Sequence, residues 1–148
     1  MAASPSSTLT RSSPDLADYQ RAAALRAAVR LFLRRGEQVA RTAGLTPQRQ
    51  LLLLMIKGAP DGSERATPTE LAERLQIAQN TVTELVARAE AVGLVEREPS
   101  ETDGRVVRLR LTREGDRRLA ATVSALQEDR RHLIAVVSQQ HEDRGTQA

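Results

Sequence analysis

Cysteine is absent from the 148-residue chain, and aromatic residues are nearly so, with Tyr19 and Phe32 the only two. Without cysteine there is no disulfide framework, thiolate nucleophile, cysteine-based zinc site or thiol redox sensor. The aromatic shortage implies an aliphatic core. It also removes the stacking platforms that commonly hold single-stranded nucleic acid. Histidine is limited to His132 and His141, both late in the sequence. The longest apolar run, LLLLMI from Leu51 to Ile56, is far too short to span a bilayer. The Ser-rich opening MAASPSSTLTRSSPD lacks the continuous apolar region of a secretory signal, so residues 1–12 are expected to be a disordered tail. Cytoplasmic localisation and no membrane partner are the expectations. No nucleophile–base pair, phosphate-cradling glycine loop or metal-ligand cluster appears in the sequence, so neither an enzyme, a cofactor nor a metal site is expected.

What is present is Leu, Ala, Val and interspersed charge, a mixture that suits a mostly helical domain. The formal net charge is only +3. The distribution is more informative, because Arg105, Arg108, Arg110, Arg113, Arg117 and Arg118 fall close together against Glu114 and Asp116. Such a cluster is either a footprint for phosphate or a solvated face of an arginine-rich protein, and charge alone favours the solvated face.

Ser13-Pro14-Asp15 reads as a helix start, with Ser13 as cap, Pro14 at the first helical position and Asp15 in the first turn. Leu16, Tyr19, Leu25, Val29, Phe32, Leu33 and Val39 then recur at helical spacing to about Ala43, and Gly44 ends the helix. Thr46-Pro47 opens a second helix that is apolar all round at LLLLMI and hence central. Lys57 to Ala66 has loop composition. Thr67 and Glu70 form a capping box that starts a short helix through Leu75. Another helix runs from about Gln79 to Val92, where Gly93 closes it. Leu94–Glu98 and Val106–Leu111 read as a β-hairpin, with Val107, Leu109 and Leu111 on one face and Val106, Arg108 and Arg110 on the other. Thr112 caps a last long helix to about Gln139, striped by Leu119, Val123, Leu126, Leu133 and Val137. A short helix, a tight turn, a second helix and a two-stranded ribbon make a winged helix-turn-helix. The fold class expected is therefore mainly α with a small hairpin wing and flanking helices.

Within TELAERLQIAQNTVTELV, Ala72 permits a close helix crossing, Ile77 is the apolar residue after the turn, and Val82 and Leu85 seat the second helix on the first. Gln79, Asn80, Thr81, Thr83, Glu84 and Ala87 are left to face outward near a helix N-terminus. Asn and Gln can pair bidentately with adenine, and Thr can bond a base edge or touch a thymine methyl. A recognition helix enters the major groove by its N-terminal end, where free N–H groups also favour phosphate. The alternative is an ordinary three-helix core with a wet polar face.

The stretch TPTELAERLQIAQNTVTELVARAEAVGLVEREPSETDGRVVRLRLTREG closely resembles the multiple-antibiotic-resistance regulator (MarR) family of winged-helix repressors. Its signature of an Asp, one residue, an Arg, a short strand, Leu-Thr and a Gly is met by Asp103, Arg105, Leu111, Thr112 and Gly115, and the resemblance extends over roughly residues 15–138. It implies a homodimeric regulator that binds double-stranded DNA at an inverted-repeat operator and is released, as a repressor, by a small phenolic or antibiotic-like effector. The DNA-contacting residues implied are Thr69, Gln79, Asn80, Thr81, Thr83, Glu84 and Arg88 around the recognition helix. On the wing, Arg105 would reach the minor groove with Asp103 holding it, and Arg108 and Arg110 would lie along phosphate. The organisation expected is an N-terminal dimerisation helix over 13–45, a winged domain over 46–111, a C-terminal dimerisation helix over 112–140 and a disordered tail over 141–148.

Three departures from the family stand out. Ala78 sits where a capping Ser is common, leaving Asn80 to accept from the exposed N–H groups. Glu84 replaces a frequent Arg, which repels phosphate but can accept from cytosine N4. HEDRGTQA leaves no room for a further amphipathic helix after the last one, so the N-terminal helix is expected to cover more of the partner. Leu25, Val29, Phe32, Leu126, Leu133 and Val137 are the dimer-interface candidates. A winged module used for protein contact is the alternative function.

Overall fold

The structure is a computed structural model that describes residues 13–99 and 105–145. Six helices and one hairpin follow in the order α1 (Leu16–Thr42), α2 (Pro47–Lys57), α3 (Pro68–Leu75), α4 (Gln79–Ala91), β1 (Val95–Pro99), β2 (Val107–Leu111), α5 (Arg113–Ala125) and α6 (Gln127–Gly145). The expected disordered tail over 1–12 and the end of the expected C-terminal tail, residues 146–148, lie outside the described residues. No described helix is long and apolar enough to cross a membrane.

Helix α2 is the hub. It packs against α1, α3, α4, α5 and β2, and Leu52, Leu53 and Ile56 are fully buried. Leu71, Val82, Val86, Leu94 and Leu109 complete the core from α3, α4 and the wing. An aliphatic core of this kind gains about 1.5–3 kcal/mol per fully buried side chain. The all-round apolar run is not enclosed on every side, however, because Leu51 remains exposed at the open edge of α2.

The hairpin pairs antiparallel, Val95 opposite Leu111 and Glu96 opposite Arg110. A third segment joins it: Ala66 exchanges both backbone hydrogen bonds with Leu109, at 3.1 and 2.8 Å. The Lys57–Ala66 loop therefore ends as a one-residue strand on the inner edge of β2. Lys57 anchors the same loop to α5, its Nζ lying 2.9 Å from Glu64 and 3.0 Å from Asp116.

Two boundaries differ from the sequence expectation. The first helix is capped by Asp15 rather than Ser13: Asp15 Oδ1 accepts from the Asp18 amide (2.8 Å) and Asp18 Oδ2 accepts from the Asp15 amide (3.0 Å). A reciprocal box satisfies two otherwise orphan donors, more than a lone Ser cap can. The single long helix expected from Thr112 is instead two, α5 and α6, interrupted at Leu126, and α6 continues through HEDRG to Gly145. HEDRG extends α6 and forms no helix of its own, and α5 and α6 are together cut from what reads in sequence as one element. Neither Gly nor Pro marks the break. The Thr122 hydroxyl donates to Leu119 O (2.8 Å) one turn earlier, and Arg130 Nη2 donates to Val123 O (3.3 Å), so a side chain occupies a carbonyl of the last turn of α5.

The wing meets α5 at Gly115. The Thr112 amide donates to Leu94 O (3.0 Å) and its hydroxyl to Gly93 O (2.6 Å), while Thr112 Oγ1 caps α5 by accepting from Gly115 N (3.1 Å). A Cβ on Gly115 would lie 2.2 Å from Leu94 O, a backbone atom that cannot swing aside. Gly115→Ala should therefore lower unfolding free energy in urea by about 1–3 kcal/mol, the usual cost of overpacking. An unchanged denaturation midpoint would show that this junction yields freely.

Candidate nucleic-acid interface

Helices α3 and α4 are joined by a turn in which Gln76 adopts a left-handed conformation (φ 55°) and Ile77 N donates to Ala72 O at 3.2 Å. Val82 and Leu85 are buried and Ile77 is half-buried, as the spacing predicts. Gln79, Asn80, Thr81, Thr83, Glu84, Ala87 and Arg88 are exposed along the opposite face, and Thr69 at the start of α3 is exposed beside them. Gln79 Nε2 reaches Thr69 Oγ1 at 3.4 Å, which couples the starts of the two helices. Thr83 Oγ1 donates to Gln79 O at 3.0 Å, fixing its hydroxyl against the helix and turning its methyl outward.

Ala78 is the N-cap of α4 and makes no side-chain cap hydrogen bond. Asn80 Oδ1 accepts from Thr81 N at 3.0 Å instead. The remaining first-turn N–H groups sit at the positive end of the helix dipole among exposed side chains, an arrangement suited to an anion.

The wing carries a feature that sequence reading did not find. Arg110 Nη2 lies 2.7 Å from Glu96, its directly opposed neighbour, and Arg110 Nε lies 3.4 Å from Glu98. Glu98 also pairs with Arg65. Arg108 Nη2 donates to Ser63 Oγ (3.0 Å) and lies 3.7 Å from Asp61, whose carboxyl is held below its usual range by hydrogen bonds from Ser63 and by the Arg108 charge. Thus Arg108 and Arg110, expected along phosphate, are each occupied by carboxylates of the chain. The Glu96–Arg110 pair could have been read from VEREP opposite VRLRL once the register was known. Arg65, Ser63 and Asp61 come from a loop more than thirty residues away, and no local pattern points to them. Arg105 is exposed in the turn two residues before β2. Asp103, its expected partner, lies outside the described residues.

An apolar cavity of about 540 Å³ opens on the far side of the molecule between α1, α2 and the α5–α6 break. Phe32, Leu33, Leu51, Leu54, Val123 and Leu126 line it, and Glu37, Gln50 and Arg130 supply polar groups. Among the described residues no group of three or more His, Asp or Glu side chains could hold a metal ion.

Because Ala78 leaves α4 without a side-chain cap, Ala78→Ser should raise stability by about 1 kcal/mol in chemical denaturation. No gain would mean that Asn80 already supplies the whole capping effect.

Residues 43–106 match the family model described as the MarR family. A comparison with curated protein sequences finds no match. Among solved structures, a mutant MarR from E. coli complexed with operator DNA is similar at 20% identity and a TM-score of 0.63, over 88% of this chain and 98% of that one. A mutant MepR from S. aureus bound to an oligodeoxyribonucleotide is similar at 19% identity and a TM-score of 0.60, over 90% of this chain and 96% of that one. AbsC, a MarR family transcriptional regulator from Streptomyces coelicolor, is similar at 20% identity and a TM-score of 0.62, over 90% of this chain and 84% of that one. Residues 43–106 thus match the MarR family model, and the chain carries the winged helix-turn-helix fold of the solved structures it resembles.

Proposed function

We propose that the protein is a homodimeric, sequence-specific DNA-binding transcriptional regulator, acting as a repressor released by a small ligand. The observation that carries this reading is the exposed polar face of α4, seated on α3 by Val82 and Leu85 and flanked by a wing that begins with exposed Arg105. In this reading Gln79, Asn80, Thr81, Thr83 and Glu84 read base edges, Thr69 and Arg88 flank them, and Arg105, positioned by Asp103, enters the minor groove. Arg108 and Arg110 add general affinity to the extent that they exchange a carboxylate for phosphate.

The division of the chain follows from the same reading: helices over 13–45 and 112–140 join two winged domains spanning 46–111. Leu25, Val29, Phe32 and Leu133 are half-buried and Leu126 is buried, because α1 packs along α6 of its own chain. They are therefore poorer interface residues than the amphipathic spacing suggests. A second apolar set stays outside: Leu16, Tyr19, Leu31, Leu33, Ile134 and Val137 are exposed on the same two helices. These exposed side chains suit a second copy of the chain, since both outer helices leave large apolar residues open to solvent. The cavity beside Leu33 and Leu51 has the volume and apolar lining that a phenolic or antibiotic-like effector requires.

Arg105→Ala should weaken binding to the protein's own upstream DNA and reduce its salt slope by about one phosphate equivalent without unfolding the chain. Asn80→Ala should cost roughly 1–3 kcal/mol on the specific site while leaving random duplex binding little changed. Equal losses on both duplexes would remove α4 from sequence discrimination. Salt-insensitive or absent binding of the wild-type protein would favour a protein-contact module instead.

Deleting residues 1–35 removes most of the exposed apolar set together with its packing on α6. Sedimentation should then show a monomer or an aggregate that no longer retains the upstream DNA. A truncated chain that sediments as a dimer would show that α6 suffices.

A further inference from the structure

The face of the wing that points away from the core carries Arg65, Arg108 and Arg110 against Asp61, Glu96 and Glu98, three charges of each sign. Each arginine lies within ion-pair distance of at least one of these carboxylates. The described wing strand is therefore arginine-lined in sequence and close to neutral in space. Neutral pairs neither build the positive field that gathers a polyanion nor release a full complement of counterions on contact.

We propose that Glu96 and Glu98 form a carboxylate screen, which holds Arg110 and Arg65 away from phosphate and so weakens the sequence-independent part of DNA binding. This inference rests on the DNA-binding reading above and deepens it. Affinity from phosphate contacts is blind to sequence, so an arginine withdrawn from phosphate lowers random and specific binding alike in absolute terms. Two features of the geometry favour an exchangeable screen over a rigid strut. Glu96 is exposed, and the side chains of Arg110 and Glu96 are 43% and 47% accessible, so phosphate can compete for the guanidinium. Arg110 Nε is also buried without a hydrogen-bond partner among the described residues, although Glu98 lies 3.4 Å away. The guanidinium is thus satisfied at Nη2 but not at Nε where it sits.

The test is fluorescence anisotropy with a mixed-sequence DNA duplex, across a salt series, on the full chain. Glu96→Gln/Glu98→Gln should bind the duplex roughly five- to tenfold more tightly than wild type at about 0.1 M salt, with a slope steeper by about 0.9 for each arginine released. The gain should vanish when the same two changes are made in an Arg65→Gln/Arg110→Gln background. A gain of equal size in that background would be a plain net-charge effect and would overturn the proposal, as would unchanged affinity and slope. Glu96→Gln alone, at an exposed position, carries the same test against Arg110→Gln if the double variant does not fold. Wild-type protein and variants that all fail to bind the duplex at low salt would overturn the DNA-binding reading itself. Salt-dependent wild-type binding with unaltered variants would sink only the carboxylate screen.

Discussion

The backbone approach of Gly115 to the Leu94 carbonyl is the constraint on which the arrangement of the wing depends. Leu94 accepts from Thr112 N at 3.0 Å, and an added Cβ at Gly115 would meet its oxygen at 2.2 Å. At one point the chain leaves α4, enters β1, leaves β2 and starts α5. Because α5 leads through the Leu126 break to α6, this contact also lies on the chain path from the wing to the outer helices. Glycine is required there for closeness, not for an unusual φ, since the residue is helical. Thr112 adds direction by bonding its hydroxyl to Gly93 O and capping α5 with the same oxygen.

Charge on the wing illustrates how far composition is from electrostatics. The family resemblance implies that Arg108 and Arg110 lie along phosphate, yet pairing places a carboxylate beside each and recruits Arg65 from a distant loop. Exposed pairs of this kind contribute little to stability. Their larger consequence is to cancel the field a polyanion would meet. The recognition helix is built differently, with short hydroxyl and amide groups outside and an N-terminus that has no side-chain cap. Leaving those donors unmet costs the isolated helix about 1 kcal/mol and keeps them available to an anion.

The outer helices show a comparable division. One apolar stripe of α1 is used inside the chain against α6, while Leu31 and Leu33 stay open on either side of it. Leu33 borders the apolar cavity beside Leu51, so whatever covers it also shapes the mouth of that cavity.

Much of this was legible locally. Thr67 with Glu70, Thr46 with Pro47, the Val82 and Leu85 pair and the alternation of Val107, Leu109 and Leu111 each specify their element through short-range sterics, capping or periodicity, and the structure keeps all of them. The outward face of α4 follows from the same periodicity. Tertiary structure decided the rest. At the break at Leu126 a side chain from α6, Arg130, bonds a carbonyl of α5, with no Gly or Pro to announce it. The one-residue strand at Ala66 exists only because the loop returns to β2. Which stripe of α1 turns inward is set by where α6 lies, as a helix with apolar residues on two faces cannot choose from its own spacing. The pairing of Arg65, Arg108 and Arg110 with carboxylates depends on strand register and on a loop remote in sequence. A one-dimensional pattern fixes contacts three or four residues apart, whereas opposite charges meet across any separation that folding brings together.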